Sequence, residues 1–188
     1  MKDIRHIGRH FISDGEFNRM LLDILAWASE YIAGKEAADP LVLAVHALAD
    51  GDHELNVLIP PEFGGERARE IMIAIDAKAA ESDDPLVAAF LVTEAWMTTR
   101  PAAAGLPELP PSEDPERIEA LVISGSTIDQ RQNQVVVRIE RCNGLMQAGE
   151  VMSVPFINDG ADELQNRLLQ QFWRSYAEET MVRKRDGC

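Results

Sequence analysis

The chain has 188 residues, of which 46% are hydrophobic and 27% are charged, and its formal net charge is −14. A chain of this length and apolar content supports one domain with a substantial core, so it needs neither a metal nor a disulfide framework for stability. The excess of carboxylates argues against binding along the phosphate backbone of nucleic acids, which requires lysine and arginine in excess.

The helices of the N-terminal part, residues 1–84, are predicted from caps and apolar spacing. Ser13 and Glu16 have the spacing of a capping box, and apolar residues then recur at helical intervals up to Gly34. Asp39-Pro40 is typical of an N-cap followed by proline in the first turn, which predicts a second helix ending near Asp50-Gly51. Two further elements are predicted in this mainly helical part: a short strand at 55–59 and a third helix at 66–81.

Residues 85–157 predict an antiparallel sheet of four to five strands. The segment 86–98 is apolar at both alternating sets of positions, which is typical of a central strand that is covered on two faces. A proline-rich loop at 100–115 then leads into a meander of three strands, at 118–124, 134–142 and 145–154. Residues 158–188 predict a last helix and a tail. Because helices and strands are segregated along the chain, we expect a single α+β domain.

Asn143-Gly144 is the strongest turn signal in the chain, because both residues tolerate a positive φ. A two-residue hairpin at this point pairs Cys142 with Leu145 and, farther from the turn, Val137 with Glu150. This register places Glu150 among apolar neighbours on the buried face of the sheet, and it places Arg138 on the wetter face.

Glu94 and Glu150 are therefore the candidate catalytic residues. Glu94 interrupts an apolar central strand, and Glu150 falls on the apolar face of the hairpin. Burying an unpaired carboxylate is costly, so such a group finds a partner or takes up a proton, as general acids and bases do. Both carboxylates have structural alternatives: a position near a strand end with the carboxyl group in water, or a pair with Arg100, Arg117 or Arg141.

Other kinds of site lack a complete set of residues. His6 and His10 have the spacing of two metal ligands on one helix, but no third ligand lies at a supporting distance in the sequence. Ser124 and Ser126 lie outside a G-x-S-x-G pattern. Gly64-Gly65 precedes a predicted helix without the lysine of a phosphate-binding loop. The sequence therefore predicts no metal and no cofactor.

Three segments resemble an uncharacterised group of bacterial and phage-associated proteins: EAWM at 94–97, PSEDPER at 111–117 and EALVISG at 119–125. The resemblance covers roughly residues 90–154 and implies a prokaryotic or phage origin and an α+β sheet. It implies no activity. It highlights four candidate binding residues: Glu94, Trp96, Arg117 and Glu119.

The apolar runs and the cysteines indicate where the protein is located. The longest apolar runs, such as 41–48, are shorter than a membrane span, and no basic segment followed by an apolar stretch opens the chain. The two cysteines form no CxxC pair, so we expect a cytoplasmic protein without membrane contact.

The expected function is non-enzymatic binding of a protein partner or of a second copy, most simply as a homodimer. It is motivated by the incomplete catalytic sets and by the edges of a meander, which need cover. One alternative is an enzyme that uses Glu94 and Glu150 as acid and base beneath the proline-rich loop. Another is an acidic nucleic-acid mimic of phage origin, which binds a nucleic-acid-binding protein and does not bind nucleic acid directly.

Overall fold

The structure is a computed structural model, and it describes residues 12–59, 79, 84–98, 113–152 and 169–178. Several predicted features lie outside the described residues: the third helix apart from the helical residue 79, the proline-rich loop up to residue 112, the start of the last helix, and both N-terminal histidines.

The first described helix, α1, spans Asp14–Ile32. Its capping box is confirmed, because the Glu16 N–H donates to the Ser13 hydroxyl at 3.2 Å and the Ser13 N–H donates to the Glu16 carboxylate at 2.8 Å. Gly34 follows the helix with a φ of 78°, a left-handed conformation that suits glycine at a helix end. One stripe of α1 is buried: Phe17, Leu21, Ile24, Ala28 and Ile32.

Six strands are described: β1 (Leu41–Ala47), β2 (His53–Leu58), β3 (Leu86–Met97), β4 (Ile118–Thr127), β5 (Gln132–Cys142) and β6 (Leu145–Met152). They form one antiparallel sheet in the order β2-β1-β3-β4-β5-β6. The α+β class is confirmed, and β3 to β6 form the predicted meander. The sheet has six strands, however, rather than four to five, because β1 and β2 extend it beyond β3.

The predicted second helix is wrong, because residues 41–47 form the strand β1. All seven of its residues are buried. Leu43 and Val45 pack in the core on the α1 side of the sheet, whereas Val42 and Ala44 pack in a second core on the opposite side. A strand that is buried on both faces is apolar throughout, and a short apolar run of this kind cannot be distinguished from a buried helix by its periodicity.

Helices cover both faces of the sheet. On one face, the ring of Phe17 from α1 stacks on Phe90 of β3, with 5.5 Å between the ring centroids. On the other face, the described helical residues 169–178 contribute Leu169 and Phe172, which are fully buried against β1 and β3. The last helix is thereby confirmed within this range, and the buried core lies on both sides of β1 and β3.

The tight turn at Asn143-Gly144 is confirmed. Asn143 has a φ of 53° and Gly144 has a φ of 83°, and Cys142 lies opposite Leu145. Positive φ at both central positions is the geometry of a two-residue hairpin.

The predicted pairing of Val137 with Glu150 is wrong, because the register shifts between the turn and Val137. Val137 lies opposite Val151, so two residues of β6 face the single residue Arg138, as in a β-bulge. Arg138 is exposed, as predicted, but Glu150 is exposed as well. The extra residue turns the carboxylate of Glu150 out of the apolar surroundings that an uninterrupted ladder predicts.

Candidate functional site

Glu94, Glu119 and Arg141 meet on the α1 side of the sheet and are called the Arg141 cluster. They come from β3, β4 and β5, and side chains two residues apart on a strand share one face. The Arg141 Nε donates to Glu119 Oε2 at 2.7 Å, and its Nη2 donates to the other oxygen of the same carboxylate. The same Nη2 lies 3.5 Å from Glu94 Oε1.

Backbone groups complete the Arg141 cluster. The Arg141 Nη1 donates to the carbonyl oxygens of Glu36 at 2.7 Å and of Gly144 at 3.0 Å. The Ala38 N–H donates to Glu94 Oε2 at 3.3 Å. The cluster therefore ties the segment between α1 and β1 to the β5–β6 turn.

The two carboxylates of the cluster have opposite pKa shifts. Hydrogen bonds from Arg141 lower the pKa of Glu119 below its ordinary value, although its burial acts in the opposite direction. Burial raises the pKa of Glu94, and a hydrogen bond shared with the neighbouring carboxylate of Glu119 raises it further. Two carboxylates that share a site commonly divide in this way, so that one is ionised and the other accepts a proton more readily.

Trp96 and Arg117 lie beside the Arg141 cluster. Trp96 is opposite Glu119 in the β3–β4 ladder, and the guanidinium carbon of Arg117 lies 4.5 Å from the centroid of the Trp96 ring. The turn before β4 positions Arg117: its N–H donates to the Asp114 carbonyl at 3.1 Å, and the Glu116 N–H donates to the Asp114 carboxylate at 2.9 Å. A stacked guanidinium covers part of a ring that is still 43% exposed.

The structure thus brings together the four residues that the resemblance highlights, but it does not bring Glu150 to Glu94. Glu94 lies on β3 and Glu150 on β6, three strand spacings away, which is about 14 Å along the sheet. The acid–base hypothesis requires both carboxyl groups in one cavity. This separation and the exposure of Glu150 do not support that hypothesis.

Two residues of this region were not predicted as site residues. Arg141 appeared only as one of three possible partners of the carboxylates, because its place beside Glu119 depends on the register between β4 and β5, which was not predicted from the sequence. Asp114 is 1% exposed and holds the turn before β4. Its signal was the Asp114-Pro115 pair within PSEDPER, because aspartate commonly bonds to backbone groups two residues onward in turns.

A second candidate site is the outward side of residues 53–59, called the β2 edge, where the described sheet ends. Leu55, Val57 and Ile59 alternate along it and are 47%, 43% and 61% exposed. Val57 lies opposite Leu43 of β1, so this apolar stripe continues the α1 side of the sheet. The sequence predicted a strand here, but not that the strand is an edge.

Backbone groups of the β2 edge also point outward. The Leu48 N–H donates to the Asp52 carbonyl at 2.8 Å, next to the first β1–β2 pair. Bonded and non-bonded pairs alternate in an antiparallel ladder, so the even-numbered residues of β2 bond to β1. Leu55 and Val57 therefore direct their N–H and C=O groups away from β1, beside their exposed side chains.

Comparison with protein-family models, with curated proteins and with solved structures found no match for this chain. The resemblance to bacterial and phage-associated proteins, the cytoplasmic location and the nucleic-acid mimic therefore stay predictions. Among the described residues, no helix is long and apolar enough to cross a bilayer. No group of three or more His, Cys, Asp or Glu side chains in this part of the chain is arranged to hold a metal ion.

Proposed function

We propose that this protein is a non-enzymatic binding module that pairs an extended strand of a protein partner, or of a second copy, with its β2 edge. The observation that carries the proposal is the coincidence of exposed apolar side chains with outward-directed backbone groups at Leu55 and Val57. In strand addition, backbone hydrogen bonds supply affinity and alternate side chains supply specificity.

The β2 edge has few of the features that usually prevent edge pairing. β2 contains no lysine, arginine or proline, its one carboxylate, Glu54, lies near its start, and its ladder with β1 is regular throughout. The other end of the described sheet, β6, differs: its ladder with β5 carries the bulge, and the exposed Glu150 lies there. Bulges and charges are the devices by which edge strands avoid association. The contrast favours β2 as the edge at which pairing occurs.

The Arg141 cluster has a structural role in this proposal. Its guanidinium is occupied by one carboxylate and two carbonyl oxygens, and Glu94 accepts a hydrogen bond from the Ala38 backbone. Such a network fixes the segment that leads into β1, the only strand that β2 pairs with in the described sheet. The cluster therefore supports the β2 edge by holding its neighbouring strand in place.

Light scattering after size exclusion, combined with affinity capture from host lysate, tests the proposal with two matched variants. Val57→Lys places a charge on the β2 edge, whereas Leu22→Lys makes the same kind of change on the exposed side of α1, where Leu22 is 58% exposed. We expect Val57→Lys to abolish the dimer or the captured partner, because its ammonium group disrupts pairing at the edge, and Leu22→Lys to preserve it.

Two results would overturn the proposal. One is an assembly that survives Val57→Lys with circular dichroism unchanged from the wild-type protein. The other is a wild-type chain that has the mass of one 20.9 kDa chain and captures no partner.

A further inference from the structure

We infer that the occupant of the β2 edge is an extended segment of another protein, with alternating apolar residues and with lysine or arginine at its C-terminal end. The inference rests on the proposed function of the β2 edge and adds the chemistry and the direction of the partner. It is carried by the distribution of charge along this edge.

The β2 edge is acidic at one end and neutral along the rest. Asp50, Asp52 and Glu54 are all exposed around the turn that leads into β2. Within this turn the Asp52 N–H donates to Asp50 Oδ1 at 3.0 Å, and Gly51 has a φ of 96°. From Leu55 to Ile59 the sequence contains no charge. A complementary segment is therefore cationic at one end and apolar at alternate positions along the rest.

The direction of the partner follows from the sheet. All described neighbours in the sheet pair antiparallel, and antiparallel pairing is slightly more stable per residue than parallel pairing. A segment that runs antiparallel to β2 has its C-terminal end beside Asp52 and Glu54. Its basic residues therefore lie at that end.

A second copy of this chain complements the β2 edge poorly. In a two-fold antiparallel pair of β2 strands, the acidic end of each strand lies beside the residues that follow Leu55 in the other. Residues 55–65 contain no lysine or arginine, so the acidic side chains gain no opposite charge. Each copy also carries a formal charge of −14, and this like charge opposes association.

Synthetic peptides test the inference against the full-length chain. The first peptide alternates valine and threonine over eight residues and ends in two lysines. Two controls share this composition or pattern: one carries the lysines at its N-terminus, and the other ends in two glutamates. We expect the peptide with C-terminal lysines to bind at least ten-fold more tightly than either control, and to lose affinity as salt is raised.

Variants of the chain locate the binding site. Asp52→Asn combined with Glu54→Gln is expected to remove most of the preference for C-terminal lysine. Val57→Lys is expected to abolish binding, and Leu22→Lys is expected to preserve it. In N-methylated peptides, methyl groups on one alternating set of residues should abolish binding and those on the other set should not, because only one set donates to β2.

The outcomes separate this inference from the proposed function. If lysine and glutamate peptides bind equally well and Val57→Lys removes both, the charge argument is wrong while the β2 edge still binds strands. Tighter binding of the peptide with N-terminal lysines contradicts the antiparallel direction. If the wild-type chain is a dimer and Val57→Lys dissociates it, the occupant of the β2 edge is a second copy of this chain, and the inferred partner segment is wrong. If Val57→Lys leaves the binding of every peptide unchanged, both proposals are overturned.

Discussion

Arg141 and Glu119 form a forked ion pair in which two nitrogens of one guanidinium bond to both oxygens of one carboxylate. The side chain of Glu119 is only 8% exposed, whereas that of Arg141 is 33% exposed. The pair joins β4 to β5, and the remaining guanidinium nitrogen reaches the Glu36 and Gly144 carbonyls. A carboxylate this deeply buried depends on its cation, because an uncompensated buried charge is costly.

Replacing Arg141 by alanine should therefore destabilise the fold. We expect the free energy of unfolding to fall by about 1–3 kcal/mol, below the 3–5 kcal/mol typical of fully buried pairs because solvent reaches Arg141. Urea denaturation measures the change. Arg138→Ala is the matched control, since Arg138 is an exposed arginine on the same strand and its loss should cost less than about 0.5 kcal/mol. Equal losses in the two variants would contradict the assigned role of Arg141.

Glu119→Gln should weaken the fold in a pH-dependent manner. The folded protein lowers the pKa of Glu119 below its ordinary value of 4.5, so this ionised group stabilises the fold above pH 4.5. That contribution is lost as pH falls through the lowered pKa. We expect the variant to be less stable by about 1.5–3 kcal/mol at pH 7, as for a hydrogen bond to a charged group, and the difference to shrink below pH 4.5. Thermal unfolding between pH 3 and pH 7 checks this, and a constant difference would refute it.

Glu94→Gln should not lower the stability of the fold at pH 7, in contrast to Glu119→Gln. The pKa of Glu94 is raised above 4.5 in the folded protein, chiefly by burial, so its ionisation opposes folding at neutral pH. We expect the variant to be at least as stable as the wild type at pH 7, and the difference to vanish below pH 4.5, where Glu94 is neutral in both states. The same pH series of thermal unfolding measures it. A clear loss of stability at pH 7 would show that the ionised form of Glu94 is the one that the fold requires.

Gly125→Ala should strain the core between the sheet and α1. A Cβ atom at this position would lie 2.6 Å from Phe90 Cε1 and 2.9 Å from Phe17 Cζ. Both rings are buried and stacked, so neither moves freely, and we expect a loss of about 1–3 kcal/mol. The double variant with Phe90→Leu, measured by urea denaturation, should cost less than the sum of the single changes, because the smaller side chain makes room. Strict additivity would show that the clash is absent.

Gly144→Ala should destabilise the β5–β6 hairpin through backbone strain rather than through contacts. Gly144 has a φ of 83°, and no atom lies within 4 Å of the position that a Cβ would take. We expect a loss of about 1–2 kcal/mol, the cost of a left-handed conformation for a residue with a Cβ. Gly15→Ala is the contrasting control, because Gly15 lies in the first turn of α1, where an added Cβ meets no atom closer than 3.9 Å, and stability should change by less than about 0.5 kcal/mol. Urea denaturation of both variants distinguishes strain from a general effect of added volume.

Local signals predicted the elements that depend on neighbouring residues. The capping box at Ser13 and Glu16 and the Asn143-Gly144 turn were both correct. Each is specified by bonds or dihedral angles within a few residues, so its sequence pattern is specific. Within the meander, the pairing of β4 with β5 and of β5 with β6 followed from the same kind of signal, because short turns join these strands.

Non-local pairing explains the failures. Asp39-Pro40, just before residues 41–47, is typical of the start of a helix. These residues form β1 instead, because they pair with a strand on each side and are buried in a core on each face of the sheet. The predicted burial of Glu150 failed because one extra residue in β6 shifts the register. The isolated Gly149 inside β6 lies at this bulge and was the local signal that the prediction passed over. Arg141 could be named as a possible partner of a carboxylate, whereas its selection of Glu119 required β4 and β5 to be aligned.

Short-range chemistry thus specified where α1 begins, where the β5–β6 hairpin reverses and which segments are apolar, because caps and tight turns are complete within a few residues. The assembled sheet decided which strand became its edge, which glutamate was buried beside an arginine and which was turned to solvent. Strand order and register depend on contacts between residues far apart in the chain, and the free energy of those contacts exists only once the strands are brought together.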